Sequence, residues 1–76
     1  MDIKELFSAD PEVLGGQPVF KGTRVPVETL FDHLEAGISL AAFLDDFPTV
    51  TKEQAVATLE IANKLLTAKN IAKLYE

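Results

Sequence analysis

The feature that most constrains the fold is a cluster of glycines and prolines in residues 15–27, Gly-Gly-Gln-Pro-Val-Phe-Lys-Gly-Thr-Arg-Val-Pro-Val. Gly22 can adopt the positive φ angle that a tight turn requires. Pro26 has no N–H and disfavours helix at the residue before it, so it suits an edge strand or the first turn of a helix. The sequence therefore predicts a short β-hairpin over residues 17–26, with Val19–Phe20 paired to Val25–Val27.

Three amphipathic segments follow and predict three helices. The first spans about residues 27–36, because apolar residues recur on one face and Gly37 suits a helix C-terminus. The second spans about 39–46, with Ser39 as its N-cap. The third begins after Thr51, which forms a capping-box pattern with Gln54, and runs over about 52–68, with an extension to residue 75 left open.

These elements predict one domain, 1–76, of the mainly α class: a three-helix, helix-turn-helix-like unit with a short N-terminal β-hairpin. A chain of 76 residues is near the lower limit for a self-sufficient core, and 47% of its residues are hydrophobic. We therefore expect a homodimer or another protein partner, formed through the hairpin or the outer face of the third helix. Residues 2–7 are expected to form a helical turn or an arm on the core.

The third helix carries two apolar stripes. Ala55, Leu59, Ala62 and Leu66, together with Val56, are expected to face the other two helices. The second stripe is rotated by about 120° and predicts an interface with another chain. Its members are Ile61, Leu65, Ala68, Ala72 and Tyr75. The alternative is that the N-terminal arm, through Ile3, Leu6 and Phe7, covers this second stripe.

In a helix-turn-helix unit the third helix would read DNA. The candidate contacts are Lys21, Arg24, Thr51, Lys52, Gln54, Thr58 and Lys64. Gln54 and Thr58 are expected to reach base edges and Lys52 a phosphate, while Lys21 and Arg24 would grip phosphates or acidic groups of a protein. Residues 1–51 carry nine acidic and three basic side chains, so any DNA binding must be local and salt-dependent. A three-helix packing unit without DNA contacts is an equal alternative.

Catalysis is not expected. The chain has no cysteine, which excludes zinc-thiolate sites and thiol nucleophiles. Lys21-Gly22-Thr23 has the wrong order for a phosphate-binding loop. His33 is expected to be structural or at the surface, and the few acidic pairs are typical of solvated helix surfaces. We predict no catalytic residue, no metal and no cofactor. Without a membrane-spanning stretch or a signal-peptide pattern, the expected location is the cytoplasm.

A family resemblance adds to this interpretation. The relevant motifs are Gly16-Gln17-Pro18-Val19-Phe20-Lys21-Gly22-Thr23-Arg24-Val25-Pro26-Val27, then Leu34, Ala36-Gly37, Ser39, Phe43-Leu44, Phe47-Pro48, Val50-Thr51 and Gln54-Ala55. Over about residues 12–66 they closely resemble the small prokaryotic proteins grouped as domain of unknown function 433. The resemblance implies a helix-turn-helix-like fold and, for many members, a role as the antitoxin of a pair whose toxin is a PIN-like nuclease encoded alongside.

The expected function is therefore that of a type II antitoxin, which binds and neutralises a nuclease toxin, with repression of its own operon as an additional role. An acidic antitoxin surface would suit a basic RNA-binding cleft. Two alternatives stay open at this point: a DNA-binding transcriptional regulator without a toxin partner, and a protein-interaction adaptor that binds no DNA.

Overall fold

A computed structural model of the chain describes residues 2–75; the predicted domain limits, Met1 and Glu76, lie outside this range. The elements in chain order are α1 (Ile3–Leu6), β1 (Phe7–Ser8), a 3-10 turn (Leu14–Gly16), β2 (Val19–Phe20), α2 (Val27–Glu35), α3 (Leu40–Asp46), α4 (Lys52–Thr67), α5 (Lys69–Ala72) and a final 3-10 turn (Lys73–Tyr75). The predicted fold class, mainly helical with a short antiparallel pair near the N-terminus, is confirmed.

The antiparallel pair has a different partner strand from the one predicted. β2 pairs with β1, so that Phe7 lies opposite Phe20 and Ser8 opposite Val19. Residues 25–27 contribute only an isolated bridge between Val19 and Pro26. A longer ladder cannot form there, because Pro26 has no N–H to donate and α2 begins at the next residue. The N-terminal arm supplies the missing strand instead.

The turn between β2 and α2 has the geometry that its sequence predicts. The Thr23 N–H donates to the Phe20 carbonyl at 3.0 Å, and Gly22 has a φ angle of +79°. A positive φ at the third position is the pattern of a type II turn. The Thr23 hydroxyl also donates to the Phe20 carbonyl, at 2.8 Å, and accepts from the Val25 N–H at 3.0 Å. These bonds fix the chain direction at the entry to α2.

Local hydrogen bonds fix the C-terminus of α2 and the N-terminus of α3. After α2, Gly37 has a φ of +82°, its N–H donates to the Leu34 carbonyl at 3.0 Å, and the Ile38 N–H donates to the His33 carbonyl at 2.9 Å. This pair of bonds is a Schellman motif, as Gly37 predicts. At the start of α3, the Ser39 hydroxyl accepts from the Ala42 N–H at 3.1 Å.

The core lies between the β2 turn, α2, α3 and the first half of α4. It consists of side chains that are at most 4% exposed: Phe20, Leu30, Phe43, Val50 and Ala55. Half-buried apolar side chains surround these, namely Phe7, Val25, Val27, Leu34, Leu40, Leu44, Phe47 and Leu59. Leu59 is the last α4 residue in this set, so the core covers only the N-terminal half of that helix.

His33 belongs to the aromatic edge of the core. Its ring lies edge-on to Phe43 and to Phe47, with centroid distances of 5.4 Å in both cases. Its Nδ1 is 2.8 Å from the Thr29 carbonyl oxygen one turn earlier in α2. These contacts agree with the structural role that the sequence predicts for this histidine.

The second half of the third predicted helix differs from expectation in two ways. Continuous helix ends at Thr67, since Ala68 is extended (φ −65°, ψ 147°), and α5 starts after it. Residues 69–75 therefore do not extend α4 in a straight line, and the Tyr75 hydroxyl donates back to the Leu66 carbonyl at 3.1 Å. The prediction that Leu66 faces the core is wrong: it is 59% exposed, because the core ends near Leu59.

The prediction that Val56 belongs to the core-facing stripe of the third helix is also wrong. It is half-buried and lines a shallow groove on the outer face of α4, with Lys52, Glu53, Ala57 and Glu60. The physical reason is its position, about 100° from Ala55 around the helix, which turns it away from the face that Ala55 buries.

Candidate protein-binding surface

Lys21 is a structural junction in this fold. Its ammonium group donates to the Lys4 carbonyl at 2.9 Å, and its backbone N–H donates to the Leu6 carbonyl at 2.8 Å. Its own carbonyl accepts from the Gln54 side-chain amide at 3.0 Å. One residue thus ties α1, the β2 turn and the N-terminus of α4 together. The bond to Lys4 uses one of the three N–H donors of the Lys21 ammonium group, and the side chain is exposed.

Thr51 and Gln54, two further candidates for DNA contact, are occupied by helix capping. The Thr51 hydroxyl accepts from the Gln54 N–H at 3.1 Å, and the Gln54 side-chain oxygen accepts from the Thr51 N–H at 2.9 Å. The predicted capping box is therefore present. Because the Gln54 amide nitrogen donates to Lys21, both ends of this side chain already have intramolecular partners. The sequence pattern of a capping box predicts the two bonds between Thr51 and Gln54. It does not predict the bond from Gln54 to Lys21, which lies 33 residues earlier in the chain.

Thr58 cannot contact a base edge. Its side chain is only 4% exposed, and its hydroxyl donates to the Gln54 carbonyl one turn earlier at 2.7 Å. The prediction was wrong because Thr58 lies on the same side of α4 as buried Ala55, within reach of the preceding turn.

The other cationic candidates are exposed but are not gathered in one concave site among residues 2–75. Lys52 lies in the outer groove of α4, where Glu53 and Glu60 place negative charge beside it. Arg24 lines a separate hollow together with Asp10 and Thr23. Lys64 is exposed one helical turn beyond Glu60. This surface offers weak attraction for a nucleic-acid backbone, since acidic side chains adjoin two of the three cations.

The largest apolar exposure lies in residues 61–75, which we call the C-terminal segment. Of the predicted interface residues, Leu65 is 62% and Tyr75 is 67% exposed, whereas Ile61, Ala68 and Ala72 are half-buried. Two residues that the sequence reasoning did not place in this interface, Leu66 at 59% and Leu74 at 78%, are equally open to solvent.

The length of α4 relative to the other helices explains why Leu66 is exposed. α4 has 16 residues and spans about 24 Å, whereas the nine residues of α2 span only about 13 Å. A helix that is so much longer than its neighbours must project beyond their common core. No comparable signal identifies Leu74, which follows the break at Ala68.

The N-terminal arm covers only part of this region. α1 packs against α4, and Leu6 is fully buried, while Ile3 is 59% exposed. The alternative prediction, that the arm covers the second stripe, therefore fails for Leu65 and Tyr75, which stay exposed. A four-residue helix is too short to cover both halves of α4.

Within residues 2–75, no group of three or more His, Cys, Asp or Glu side chains is placed to hold a metal ion. Over the same range, no helix combines the length and the apolar character needed to cross a membrane.

The described residues thus form a small, mainly helical, helix-turn-helix-like domain with an exposed apolar C-terminal segment. A family model described as "Protein of unknown function (DUF433)" matches residues 8–62. The chain belongs to the DUF433 family.

Two relatives agree with this membership. The crystal structure of a DUF433 member protein from Anabaena variabilis, at 2.00 Å resolution, superposes with a TM-score of 0.69 at 25% sequence identity and covers 93% of this chain and 68% of its own. An uncharacterized protein of Sinorhizobium fredii, y4eO, is 37% identical over 51 residues, which are 67% of this chain. The chain spans about a quarter (23%) of the length of that relative.

Proposed function

We propose that the protein is a non-catalytic antitoxin of a type II pair, which binds and neutralises a PIN-like nuclease encoded beside it. The observation that carries this proposal is the exposure of Leu65, Leu66, Leu74 and Tyr75, between 59% and 78%. Large apolar side chains gathered in one region of a small protein mark a surface for another protein. The toxin as partner comes from the family resemblance.

Charge supports the same function. Residues 2–60 carry eleven acidic and four basic side chains, and most of these acids lie on the solvent side of α2 and α3 or in the N-terminal arm. An acidic surface of this kind would attract a basic RNA-binding cleft and block it sterically. The mechanism is occlusion, in which the acidic body covers the path of the RNA while the apolar segment holds the complex together.

DNA binding has less support in this geometry. Thr58 is buried, and Thr51 and Gln54 are engaged in capping. Lys52 lies beside two glutamates. Repression of the operon by this chain alone would therefore have to use other residues.

The test is co-expression of the chain with the product of the adjacent open reading frame, followed by pull-down and a growth-rescue assay. We expect a stable complex and the restoration of growth that the partner alone arrests. A neighbouring product that neither arrests growth nor co-purifies with this chain would overturn the proposal. A titration on the gene's own promoter at two salt concentrations is the parallel test for DNA: a sequence-dependent, salt-sensitive shift would restore the regulator alternative.

A further inference from the structure

The C-terminal segment differs from the rest of the chain in charge as well as in exposure. Residues 61–75 contain three lysines, Lys64, Lys69 and Lys73, and no acidic residue. Residues 2–60 have a net charge of −7. All three lysines are exposed, and each lies one or a few positions from an exposed apolar residue of the segment. The segment therefore combines exposed apolar side chains with a net positive charge, whereas the rest of the described chain is acidic.

A hydrogen bond joins the two parts of the segment across the break in the helix. The Tyr75 hydroxyl donates to the Leu66 carbonyl at 3.1 Å, which brings the end of the chain back beside the last turns of α4. Leu65 and Leu66 precede the break, and Leu74 and Tyr75 follow it. In the sequence Lys64 precedes Leu65 and Lys73 precedes Leu74, so each part of the segment carries both an exposed lysine and an exposed apolar residue.

The combination of exposed apolar side chains and lysines indicates which kind of partner the segment can bind. Two copies of the segment would repel each other, because each carries a charge of +3 over fifteen residues. A nucleic-acid backbone would pair with the lysines but would leave the leucines in water. A protein groove with an apolar floor and carboxylates on its rim satisfies both features, since lysine stems pack on apolar surface while their ammonium groups reach the rim.

We propose that the C-terminal segment is a docking site for an apolar protein groove rimmed by carboxylates. The inference rests on the proposed function in that it describes the partner of the same surface. It adds that the segment and the acidic body bind oppositely charged parts of that partner.

The experiment measures the preference of the segment directly, without a nuclease. The 15N-labelled full chain is titrated with two synthetic amphipathic helical peptides of equal length, both with Leu at the a and d heptad positions, one with Glu and the other with Lys at e and g. We expect the Glu peptide to shift amide resonances mainly in residues 61–75 and to bind at least about fivefold more tightly than the Lys peptide, since the three lysines can pair with the first peptide and meet like charges in the second.

Two triple variants make the test specific. Replacing the three segment lysines by glutamine (Lys64→Gln, Lys69→Gln, Lys73→Gln) should abolish the preference for the Glu peptide. The matched control, Lys4→Gln, Arg24→Gln and Lys52→Gln, removes the same amount of charge from exposed positions of the body and should leave the preference intact.

The inference is overturned if the two peptides bind equally, if both triple variants have the same effect, or if duplex DNA or phosphatidylglycerol vesicles shift the segment more strongly than the Glu peptide does. Its failure is distinguishable from that of the proposed function. A peptide preference without capture of the neighbouring gene product would remove only the antitoxin proposal. Capture and growth rescue that survive the segment triple variant, with no peptide preference, would remove only the acidic-groove inference.

Discussion

Two regions of this chain contain the same kinds of large apolar side chain in opposite environments. In the body, residues 2–60, Phe20, Leu30 and Phe43 are fully buried. In the C-terminal segment, Leu65 and Leu74 are 62% and 78% exposed. The difference cannot come from residue type. It arises because the body surrounds its apolar residues with several short elements, whereas the segment extends past all of them.

The same contrast holds for the hydrogen bonds that end the helices. The N-terminus of α4 has a complete capping box and a further bond from Gln54 to Lys21. The start of α5 has Ala68 as its N-cap and no side-chain cap, and alanine is among the poorest residues for that position. The body is therefore specified both locally and by packing, while the segment has only weak local specification and has apolar surface left for a partner.

The largest difference should appear when one large apolar side chain is truncated in each region. Phe43→Ala should lower the free energy of unfolding by about 3–4 kcal/mol, because the ring is fully buried against the rings of Phe20, His33 and Phe47. The matched change Leu74→Ala should cost less than about 0.5 kcal/mol, since the side chain is already in water. Urea denaturation followed by circular dichroism measures both.

A domain this small could fail to fold with Phe43→Ala, so Phe43→Leu serves as a milder variant, with an expected loss of about 1–1.5 kcal/mol. Equal losses for the Phe43 and Leu74 variants would contradict the division into a packed body and an open segment.

The junction at Gln54 should give the next largest effect. Gln54→Ala removes one side of the capping box and the bond to the Lys21 carbonyl, for an expected cost of about 1.5–2 kcal/mol. Gln54→Glu can still accept from the Thr51 N–H but cannot donate to the Lys21 carbonyl. We therefore expect this variant to lose only the contribution of the long-range bond, about 1 kcal/mol of the free energy of unfolding. Thermal unfolding compares the two variants with the wild type. If Gln54→Glu is as stable as the wild type, the link between the turn and α4 contributes nothing measurable.

Gly37→Ala tests a single backbone conformation within the body. An added Cβ at Gly37 would have no heavy atom within 4 Å, so any cost must come from the φ angle of +82° rather than from a clash. We expect a loss of about 1 kcal/mol, the typical penalty for a left-handed alanine. Chemical denaturation provides the measurement, with Ala36→Gly at the preceding position as a control. No loss in Gly37→Ala would show that the end of α2 can re-form without the Schellman motif.

The smallest effect on stability, and the most informative one for assembly, is expected for Leu65→Glu. Because Leu65 is mostly exposed, the free energy of unfolding should change by less than about 0.5 kcal/mol. The helicity should change very little. Co-purification with the neighbouring gene product, measured by pull-down, should fall. The control is Asn63→Glu, at another exposed position on the same helix. A Leu65→Glu variant that assembles like the wild type would remove Leu65 from the interface.

Much of the body could be predicted from local patterns. The capping box at Thr51 and Gln54, the Ser39 cap and the left-handed Gly37 are each determined by a few neighbouring residues. The strand partner of β2 could not be predicted in this way, since Phe7 and Ser8 lie more than ten residues earlier. The environments of two candidate base contacts could not be predicted for a related reason: Thr58 and Gln54 are polar in sequence, but their burial and bonding depend on neighbours that only the folded chain provides.

The sequence by itself determined the positions of α2, α3 and the start of α4, the tight turn at Gly22 and the second apolar stripe, because backbone sterics, capping and side-chain periodicity act within a few residues. The tertiary structure decided which strand pairs with β2, that Lys21 joins α1 to the N-terminus of α4, and where the core ends along α4. These outcomes depend on contacts between distant parts of the chain, and no local pattern specifies how far one element reaches past another. The open C-terminal segment is the direct result, since α4 is longer than the elements that could cover it.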